Sequence, residues 1–406
     1  ALPEQVCADV LNSAFDSAGQ RCSALRILCL QEDIADHFIT MIKGAMNELR
    51  VGNPVELTTD IGPVIDAEAQ QNLQNHIDRM KGIAKAYHQI ALPAGADQAT
   101  FIAPIMFELN NLNELQREVF GPVLHVVRYR ADELDSLIDQ INNKGYALTH
   151  GVHSRIDGTV EHIKSRIEAG NVYVNRNIVG AVVGVQPFGG HGLSGTGPKA
   201  GGPFYLQRLS NLKEWVIPRL SRIGQVDEVA LKRIENLLHQ LPLEQAQKRE
   251  LAAGLGKARV HTLRQAEVVL AGPTGERNVL SWHAPKQVWL YGGDLNQAFA
   301  AFIELAASGI CTVVETDSPL AQYASQLEGL LVAHSRPETA GISHVVALEA
   351  LSAEYKQSLA NQQGALIRIV SATQGVDILQ VFEEISCSTN TTAAGGNASL
   401  MAMNDM

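Results

Sequence analysis

Cysteine is scarce in this sequence, and its spacing excludes two common uses of the residue. The 406 residues contain five cysteines, Cys7, Cys22, Cys29, Cys311 and Cys387, and none belongs to a Cys-x-x-Cys pair. An odd and scattered set is typical neither of a disulfide framework nor of a structural zinc site. We therefore predict a protein without a metal site, in a reducing compartment such as the cytoplasm.

Positive charge and long apolar runs are also lacking. The chain has 32 Lys and Arg against 43 Asp and Glu, which gives a formal net charge of -11. Nucleic-acid-binding proteins usually carry a basic face, and polybasic segments are what anionic membranes attract. No apolar run is long enough to span a bilayer. The sequence therefore predicts neither a nucleic-acid partner nor a membrane span.

The residues that are present have the composition of an ordinary globular protein, with 46% hydrophobic and 18% charged residues. This length is typical of two or three domains. The chain starts at Ala1, without an initiating Met and without a basic leader segment. We therefore expect a trimmed protein or a part of a longer one.

The first half of the chain alternates between helical and strand-like patterns, which indicates an α/β sheet layer. Apolar residues at helical spacing predict helices at residues 3–15, 34–49, 67–81, 134–143 and 160–167. Short apolar runs predict strands at residues 24–30, 125–129, 150–154 and 171–175.

A second α/β pattern follows an amphipathic stretch that opens near Pro218. The predicted strands are 288–292, 311–316, 344–348 and 366–370, and the predicted helices are 298–307, 320–332 and 353–359. We therefore predict two domains, 1–217 and 218–406, the second a Rossmann-like parallel α/β domain. Its first strand-to-helix turn, "YGGDLNQAF", lacks the Gly-x-Gly-x-x-Gly pattern of dinucleotide sites.

A glycine-dense stretch, "VGAVVGVQPFGGHGLSGTGPKAGGP" (179–203), separates the two patterns. It has too many glycines for a regular element, and we interpret it as an ordered loop that holds backbone close to a ligand. A flexible linker is the alternative, although linkers are usually more polar than this stretch.

Cys22 is the candidate nucleophile. It follows a Gly-Gln-Arg turn, and the nearby Arg21 and Arg26 are positive charges that favour the reactive thiolate form. The alternative is a buried structural cysteine, which is the usual environment of an isolated cysteine.

Several segments around these residues resemble motifs of the aldehyde dehydrogenase family, in the order that the family has. "FDSAGQRCSALR" resembles the nucleophile segment, "DIGPVID" (60–66) and "EVFGPVL" (118–124) resemble the next two motifs, and "GNVYVNRN" with "QPFGGHGLSGTG" resembles the closing strand and loop. The resemblance covers residues 1 to about 217. "AGQRCSALR" and "VGAVVGVQPFGG" are most similar to the branch that oxidises glutamate γ-semialdehyde in bifunctional enzymes of proline catabolism.

The resemblance implies an NAD-dependent reaction with a role for each matched residue. Cys22 would attack the aldehyde carbon, and its backbone N–H would form half of an oxyanion hole. Glu118 would bind the nicotinamide ribose of NAD, and Phe120 would pack beside the nicotinamide. Without the resemblance, Glu118 would be interpreted as a solvated charge and Phe120 as a core aromatic.

The resemblance also implies which residues bind the carboxylate and the aliphatic stem of the substrate. Ser23 and the backbone of Gly180 and Ala181 would bind the α-carboxylate, and Phe188 would line the aliphatic stem. The ordinary alternatives are that Ser23 caps a turn and that Phe188 is a core aromatic.

The family pattern also predicts what these 406 residues lack. Its NAD-binding domain, its Glu-x-Gly-Gly general base and its oxyanion-hole asparagine all precede the nucleophile. We therefore expect the C-terminal part of a larger enzyme, inactive alone, with FAD and DNA binding left to upstream domains. The segment 204–217 resembles the family's terminal oligomerisation strand, which indicates a homodimer.

Residues after about 220 resemble the extra C-terminal domain of the long bifunctional enzymes. "TTAAGGNASL" (391–400) resembles the Glu-x-Gly-Gly segment, with Ala393 where the base belongs. Because alanine cannot take a proton, we predict a non-catalytic lid over a cavity that carries the intermediate between active sites. A domain that only stabilises the fold or the assembly is the alternative.

Two rival functions remain open at this point. One is a non-enzymatic scaffold, in which Cys22 would be no more reactive than Cys29. The other is a dehydrogenase of a different carboxylated aldehyde, because the "VGAVVG" loop indicates a carboxylated substrate only by resemblance.

Overall fold

The computed structural model describes residues 1–210, 216–259 and 262–392. Ala393, predicted at the position of the family's base, lies outside the described residues, as do residues 211–215 of the segment that resembles an oligomerisation strand. Among the helices of the described ranges, none is long and apolar enough to cross a membrane.

The α-helices of the described residues agree closely with the predicted ones where the apolar stripe has clear ends. Asp66 caps the third helix by accepting a hydrogen bond from the Ala69 N–H (2.8 Å), and Pro3 starts the first. The helices are α1 Pro3–Phe15, α2 Glu32–Asn47, α3 Ala67–Lys81, α4 Leu134–Asn142, α5 Asp157–Arg166, α6 Tyr205–Arg208, α7 Glu228–Leu238, α8 Gln245–Ala258, α9 Leu295–Ala307 and α10 Ala353–Ala360.

The strands of the described residues form α/β layers, as the alternating pattern predicted. They are β1 Ile27–Gln31, β2 Ala86–Gln89, β3 Ile105–Leu109, β4 Val123–Tyr129, β5 Tyr146–Ala147, β6 Thr149–Val152, β7 Asn171–Val174, β8 His191–Gly192, β9 Glu267–Leu270, β10 Glu276–His283, β11 Gln287–Tyr291, β12 Cys311–Glu315, β13 Leu331–His334, β14 His344–Ala347, β15 Arg368–Ser371 and β16 Glu383–Asn390.

The first sheet brings two of the predicted motifs to one edge. Its order is β1-β4-β3-β2, and β1 pairs with β4 in parallel, with Ile27 opposite His125. The nucleophile segment directly precedes β1, and the "EVFGPVL" segment leads into β4. Because the amino ends of parallel neighbours lie at the same edge, the two segments meet there.

A second sheet joins the two halves of the chain. Its order is β6-β7-β16-β10-β9, so strands from both sides of residue 217 pair in one sheet. β16 pairs in parallel with β7, with Ser386 opposite Asn171, and antiparallel with β10. Strands β9, β10 and β16 from the C-terminal half of the chain therefore complete the sheet that β6 and β7 begin.

The third sheet is the Rossmann-like one. Its five strands are all parallel, in the order β13-β12-β11-β14-β15. The chain starts with β11 at the centre and adds β12 and β13 on one side. It then crosses to the other side of β11 and adds β14 and β15. This is the strand order of doubly wound dinucleotide-binding folds. The prediction of a second α/β unit of this type is confirmed.

One predicted helix of this unit is wrong. Residues 320–332 form a short 3₁₀ turn, Ala321–Tyr323, followed by turns and then by β13. Leu320, Leu327 and Leu331 are buried at a spacing that imitates a helix stripe. Gly329 has a φ of 81°, a left-handed conformation that ends any helix, and Leu331 then pairs with Thr312 of β12.

Candidate active site

The loop before Cys22 has an unusual backbone. Ser17, Ala18 and Gly19 have φ values of 55°, 53° and 64°, all left-handed. A Cβ atom on Gly19 would lie 2.2 Å from the carbonyl oxygen of Gly121. Only glycine permits this approach, so the nucleophile loop rests directly on the "EVFGPVL" segment.

Arg26 holds these two segments together. Its guanidinium donates hydrogen bonds to the carbonyl oxygens of Gly19 (2.5 Å) and Arg21 (2.9 Å), on either side of the turn that leads to Cys22. The Arg26 side chain is only 12% exposed. The loop carbonyls therefore have a charged partner that fixes their orientation.

The same arginine contacts both residues predicted to hold the cofactor. Its Nε lies 3.6 Å from the Glu118 carboxylate, and its guanidinium lies 4.5 Å from the centroid of the Phe120 ring. Phe120 is 43% exposed, so it is not a core aromatic, and Glu118 is an exposed but paired carboxylate. The structure thus brings Glu118, Phe120 and the loop that carries Cys22 together around Arg26.

Cys22 itself is exposed, in contrast to the buried cysteine of the alternative interpretation. Cys7 is buried, and Cys29 lies on β1 with intermediate exposure of the residue as a whole. Burial raises the pKa of the Cys29 thiol to about 12, so this thiol stays protonated at neutral pH. The loop therefore presents the Cys22 thiol to solvent, whereas the Cys29 thiol stays protonated and unreactive.

The remaining motifs are tied to this loop by side chains. The Gln20 amide oxygen accepts a hydrogen bond from the Ile65 N–H of the "DIGPVID" segment (3.0 Å). Ser23 is buried, and its carbonyl accepts a hydrogen bond from the Thr149 hydroxyl of β6 (3.5 Å). Ser23 is therefore held inside the fold and does not simply cap an exposed turn.

Ser13 on α1 connects the nucleophile segment to the glycine-dense stretch. Its carbonyl accepts from the Leu25 N–H (2.8 Å), and its hydroxyl accepts from the Ile178 N–H (3.1 Å). Two residues past Ile178, Gly180 is exposed with a φ of 75°, and Ala181 beside it is half-buried. One buried serine thus fixes the starts of both predicted substrate segments.

The glycine-dense stretch is packed against the sheet and is not a free linker. Phe188 is half-buried and exchanges two backbone hydrogen bonds with Ala200 (3.0 Å each). The buried Lys199 ammonium donates to the Gly189 carbonyl (2.6 Å) and to the Asn171 amide oxygen (2.9 Å). Burial lowers the pKa of Lys199 to about 7. These contacts hold an irregular backbone in one path.

A pair of buried histidines lies behind the loop. His125 on β4 makes a hydrogen bond through Nδ1 to the Arg26 carbonyl (3.0 Å), and its Nε2 lies 2.9 Å from Nε2 of His76 on α3. Burial lowers the pKa of His125 to about 3 and that of His76 to about 4. Both rings are therefore neutral at physiological pH and form an uncharged floor.

The sequence indicated some of these contacts and missed others. Arg26 lies four residues after Cys22 in the quoted motif, and only its charge had been considered. Ser13 and His125 carried no signal, because a serine in a helix and a histidine in a strand are common without a function. Among the described residues, no group of three or more His, Cys, Asp or Glu is arranged to hold a metal ion.

Comparison with known proteins gives a consistent result. A model of the aldehyde dehydrogenase family matches residues 2–215. The chain is 43% identical over 419 residues to the bifunctional protein PutA of Klebsiella aerogenes, which covers 97% of this chain and 32% of that protein. It is 36% identical over 207 residues to the 1-pyrroline-5-carboxylate dehydrogenase of Geobacillus kaustophilus, covering 50% of this chain and 39% of that protein.

A solved structure extends the likeness of fold to nearly the whole chain. Proline utilization A from Corynebacterium freiburgense matches 96% of this chain and 38% of its own, with a TM-score of 0.69. At 23% identity this match concerns the fold alone. The chain spans about a third of the length of the curated PutA relatives that it matches.

Proposed function

Because this chain belongs to the aldehyde dehydrogenase family, we propose that it serves the NAD-dependent oxidation of glutamate γ-semialdehyde to glutamate in proline catabolism. The supporting observation is the exposed Cys22 thiol on a loop that Arg26 fixes to Glu118 and Phe120. The names of the matched relatives, PutA and 1-pyrroline-5-carboxylate dehydrogenase, favour this substrate.

The protein's own residues account for the covalent part of the reaction. The Cys22 thiolate attacks the aldehyde carbon to give a thiohemiacetal, and the Cys22 N–H donates to the oxyanion. Loss of hydride from that carbon leaves a thioester on Cys22, and water releases the acid. Arg26 fixes the loop that carries Cys22 through its hydrogen bonds to the carbonyls of Gly19 and Arg21.

The residues present fit the nicotinamide end of NAD. Glu118 offers a carboxylate that accepts from ribose hydroxyls, and Phe120 offers an exposed ring face beside the nucleophile loop. NAD, when bound, supplies the hydride acceptor. Holding Glu118 and Phe120 on one guanidinium fixes both relative to Cys22, which favours a near-attack arrangement.

The substrate's carboxylate is assigned to Ser23 and to the backbone N–H groups of Gly180 and Ala181, with Phe188 along the stem. Gly180 is exposed and lacks a side chain that would block an anion. A dehydrogenase of another carboxylated aldehyde would use the same contacts, so substrate comparison must separate the two.

NADH formation tests the proposal. The full-length gene product is given NAD with glutamate γ-semialdehyde or with butanal, and Cys22→Ser is compared with Cys29→Ser. We expect Cys22→Ser to lower kcat by about 10⁴-fold or more, as loss of a nucleophile does, and Cys29→Ser to retain activity. Wild-type turnover that prefers butanal, or an active Cys22→Ser enzyme, contradicts the proposal.

Thiol labelling separates an enzyme from a scaffold. Iodoacetamide reacts with thiolates, so it should label the exposed Cys22 well before Cys29, whose pKa is raised to about 12. Equal rates for the two cysteines would favour the scaffold.

We also propose that residues 218–406 form a non-catalytic lid domain beside a catalytic domain of residues 1–217. In support, Glu349 fills the space in front of Gly292, where a dinucleotide's phosphates would lie in this type of fold. FAD binding by an upstream domain, a homodimer and a cytoplasmic location stay predictions from the sequence.

A further inference from the structure

The strand β16 presents three polar residues on one face. Glu384, Ser386 and Ser388 alternate along the strand, so their side chains point the same way. The opposite face carries Ile385, which belongs to an apolar cluster, and Cys387, which packs against it. The polar face has no core to fill and is turned to the glycine-dense stretch.

Each of the three residues contacts that stretch. The Glu384 carboxylate accepts from the Lys199 N–H (2.7 Å), and the Ser386 hydroxyl donates to the Pro187 carbonyl (2.5 Å). The Gln186 side-chain NH₂ donates to the Ser388 hydroxyl (3.2 Å). Alternate residues of β16 therefore each hold a different part of the glycine-dense stretch.

Gln186 connects β16 to the loop around Gly180 and Ala181, which is predicted to bind the substrate's carboxylate. Its backbone N–H donates to the Val182 carbonyl (2.9 Å), and its side-chain oxygen accepts from the Val182 N–H (3.1 Å). The turn between them contains Gly184, with a φ of 79°. Val182 follows Ala181 directly, so the clamp on Val182 sets the direction of the Gly180 and Ala181 amides.

The far end of Gln186 lies in a buried network of opposite charges. Its NH₂ donates to the Glu276 carboxylate on β10 (2.8 Å), and Arg176 donates to the same carboxylate and to the Ser388 hydroxyl (2.8 Å). Gln186 is 5% exposed and Ser388 is 2% exposed. A buried amide that loses a partner has no water to replace it, so the network resists rotation of Gln186.

We propose that Ser386 and Ser388 are positioning residues for substrate recognition. Through Pro187 and Gln186 they set the loop whose backbone receives the substrate's carboxylate, so the C-terminal strand determines preference for carboxylated aldehydes. This inference rests on the proposed function. Neither serine touches the reacting atoms, so their loss affects KM for the carboxylated substrate much more than kcat.

Steady-state kinetics of the full-length gene product test the inference. We expect Ser388→Ala to raise KM for glutamate γ-semialdehyde about tenfold, the loss of roughly one hydrogen bond, with kcat within about twofold. Ser386→Ala should act in the same direction. KM for butanal, which has no carboxylate, should not change in either variant. Ser281→Ala is the matched control, because among the described residues its hydroxyl hydrogen-bonds to the Ile385 carbonyl on β16 and to no part of the glycine-dense stretch.

Hydrogen exchange adds a readout that does not depend on activity. In wild-type protein the Val182 N–H is bonded to Gln186, and in Ser388→Ala its exchange should be faster, while Ser281→Ala leaves it unchanged. Equal changes in KM for both aldehydes, or unchanged KM and unchanged exchange, overturn the inference. A wild-type enzyme that does not oxidise glutamate γ-semialdehyde overturns the proposed function instead.

Discussion

Two glycine turns in this molecule use the absence of a Cβ in opposite ways. Gly19 brings the nucleophile loop against the backbone of Gly121 and leaves Cys22 outside, exposed. Gly292 lies at the end of β11 in the Rossmann-like sheet, and the carboxyl group of Glu349 occupies the space in front of it. A Cβ on Gly292 would lie 2.6 Å from the Glu349 carboxyl carbon.

The charges around the two turns differ as well. The nucleophile loop is supported by the Arg26 cation. In the Rossmann-like sheet, Asp294 caps α9 by accepting from the Gln297 N–H (2.9 Å), and Tyr355 donates to Glu315 at the end of β12 (2.5 Å). The hydrogen bond with Glu315 is the main cause that raises the pKa of Tyr355 to about 12.

A strand order alone does not establish a binding site. An incoming pyrophosphate at Gly292 would meet the carboxylates of Glu349 and Asp294, although the helix start itself favours anions. At Gly19 the lack of a Cβ lets the loop pack against Gly121 while Cys22 stays exposed. At Gly292 the space that the lack of a Cβ leaves is occupied by the Glu349 side chain.

Gly19→Ala should produce the largest change in this comparison. The new methyl group would lie 2.2 Å from the Gly121 oxygen at a φ of 64°. We expect the free energy of unfolding to fall by at least about 2 kcal/mol and kcat to fall about 100-fold because Cys22 is displaced. Thermal unfolding and NADH formation measure the two effects.

Gly44→Ala is the matched control. Gly44 lies in α2, and a Cβ there would have nothing within 4 Å. Alanine should stabilise the helix by about 0.5–1 kcal/mol with unchanged kcat. If both variants behaved alike, the contact between Gly19 and Gly121 would have no role in holding the loop.

Arg26→Met should produce the next largest change. It leaves the carbonyls of Gly19 and Arg21 without their charged donor and removes the contact with Glu118. We expect kcat to fall about tenfold or more through misplacement of the loop. Arg130→Met, at an exposed position directly after β4, is the control, and equal losses in the two variants would argue against Arg26 as the support.

Much of the first region could be predicted from sequence because its signals are local. The helix 67–81 has a capping Asp66 and a closing Gly82 at its ends, and the structure has the same bounds. The nucleophile and "EVFGPVL" segments precede parallel neighbours, so knowing the strands places them together.

The contacts that complete the site could not be predicted, because their partners are distant in sequence. Ser388 is 202 residues from Gln186, and the strand around it, "EEISCSTN", is too polar to be recognised as a buried strand. Its burial comes from the pairing with β7 and β10. The wrong helix at 320–332 has the same origin, since β13 becomes a strand only by pairing with β12.

The filled turn of the Rossmann-like sheet predicts weak nucleotide binding. In the 406-residue chain, millimolar NAD should not change hydrogen exchange of residues 292–294. Glu349→Ala should gain affinity by no more than about tenfold, because Asp294 and the Tyr355–Glu315 pair remain. Protection of these amides at micromolar NAD would contradict the non-catalytic interpretation, and Glu354→Ala on the exposed start of α10 serves as the charge-matched control.

The buried neutral pair of His76 and His125 predicts a smaller effect, on the free energy of unfolding at acid pH. Burial and the charges of Arg79 and Arg117 lower the pKa of His76 to about 4, whereas an unfolded histidine titrates near 6.5. Between these values the unfolded chain binds a proton that the folded chain excludes, so the free energy of unfolding falls as the pH falls. The contribution of one such group is at most about 1.4 kcal/mol per pH unit.

Urea unfolding of His76→Gln between pH 7 and pH 4 measures that contribution. Glutamine retains a hydrogen bond to His125 but does not titrate, so the loss of stability on acidification should be less steep than in the wild type. His37→Gln, at an exposed position of α2, should leave the slope unchanged. An unchanged slope in His76→Gln would mean that the histidine pair takes up protons in the folded state as well, and the pair next to the Arg26 carbonyl would then carry positive charge.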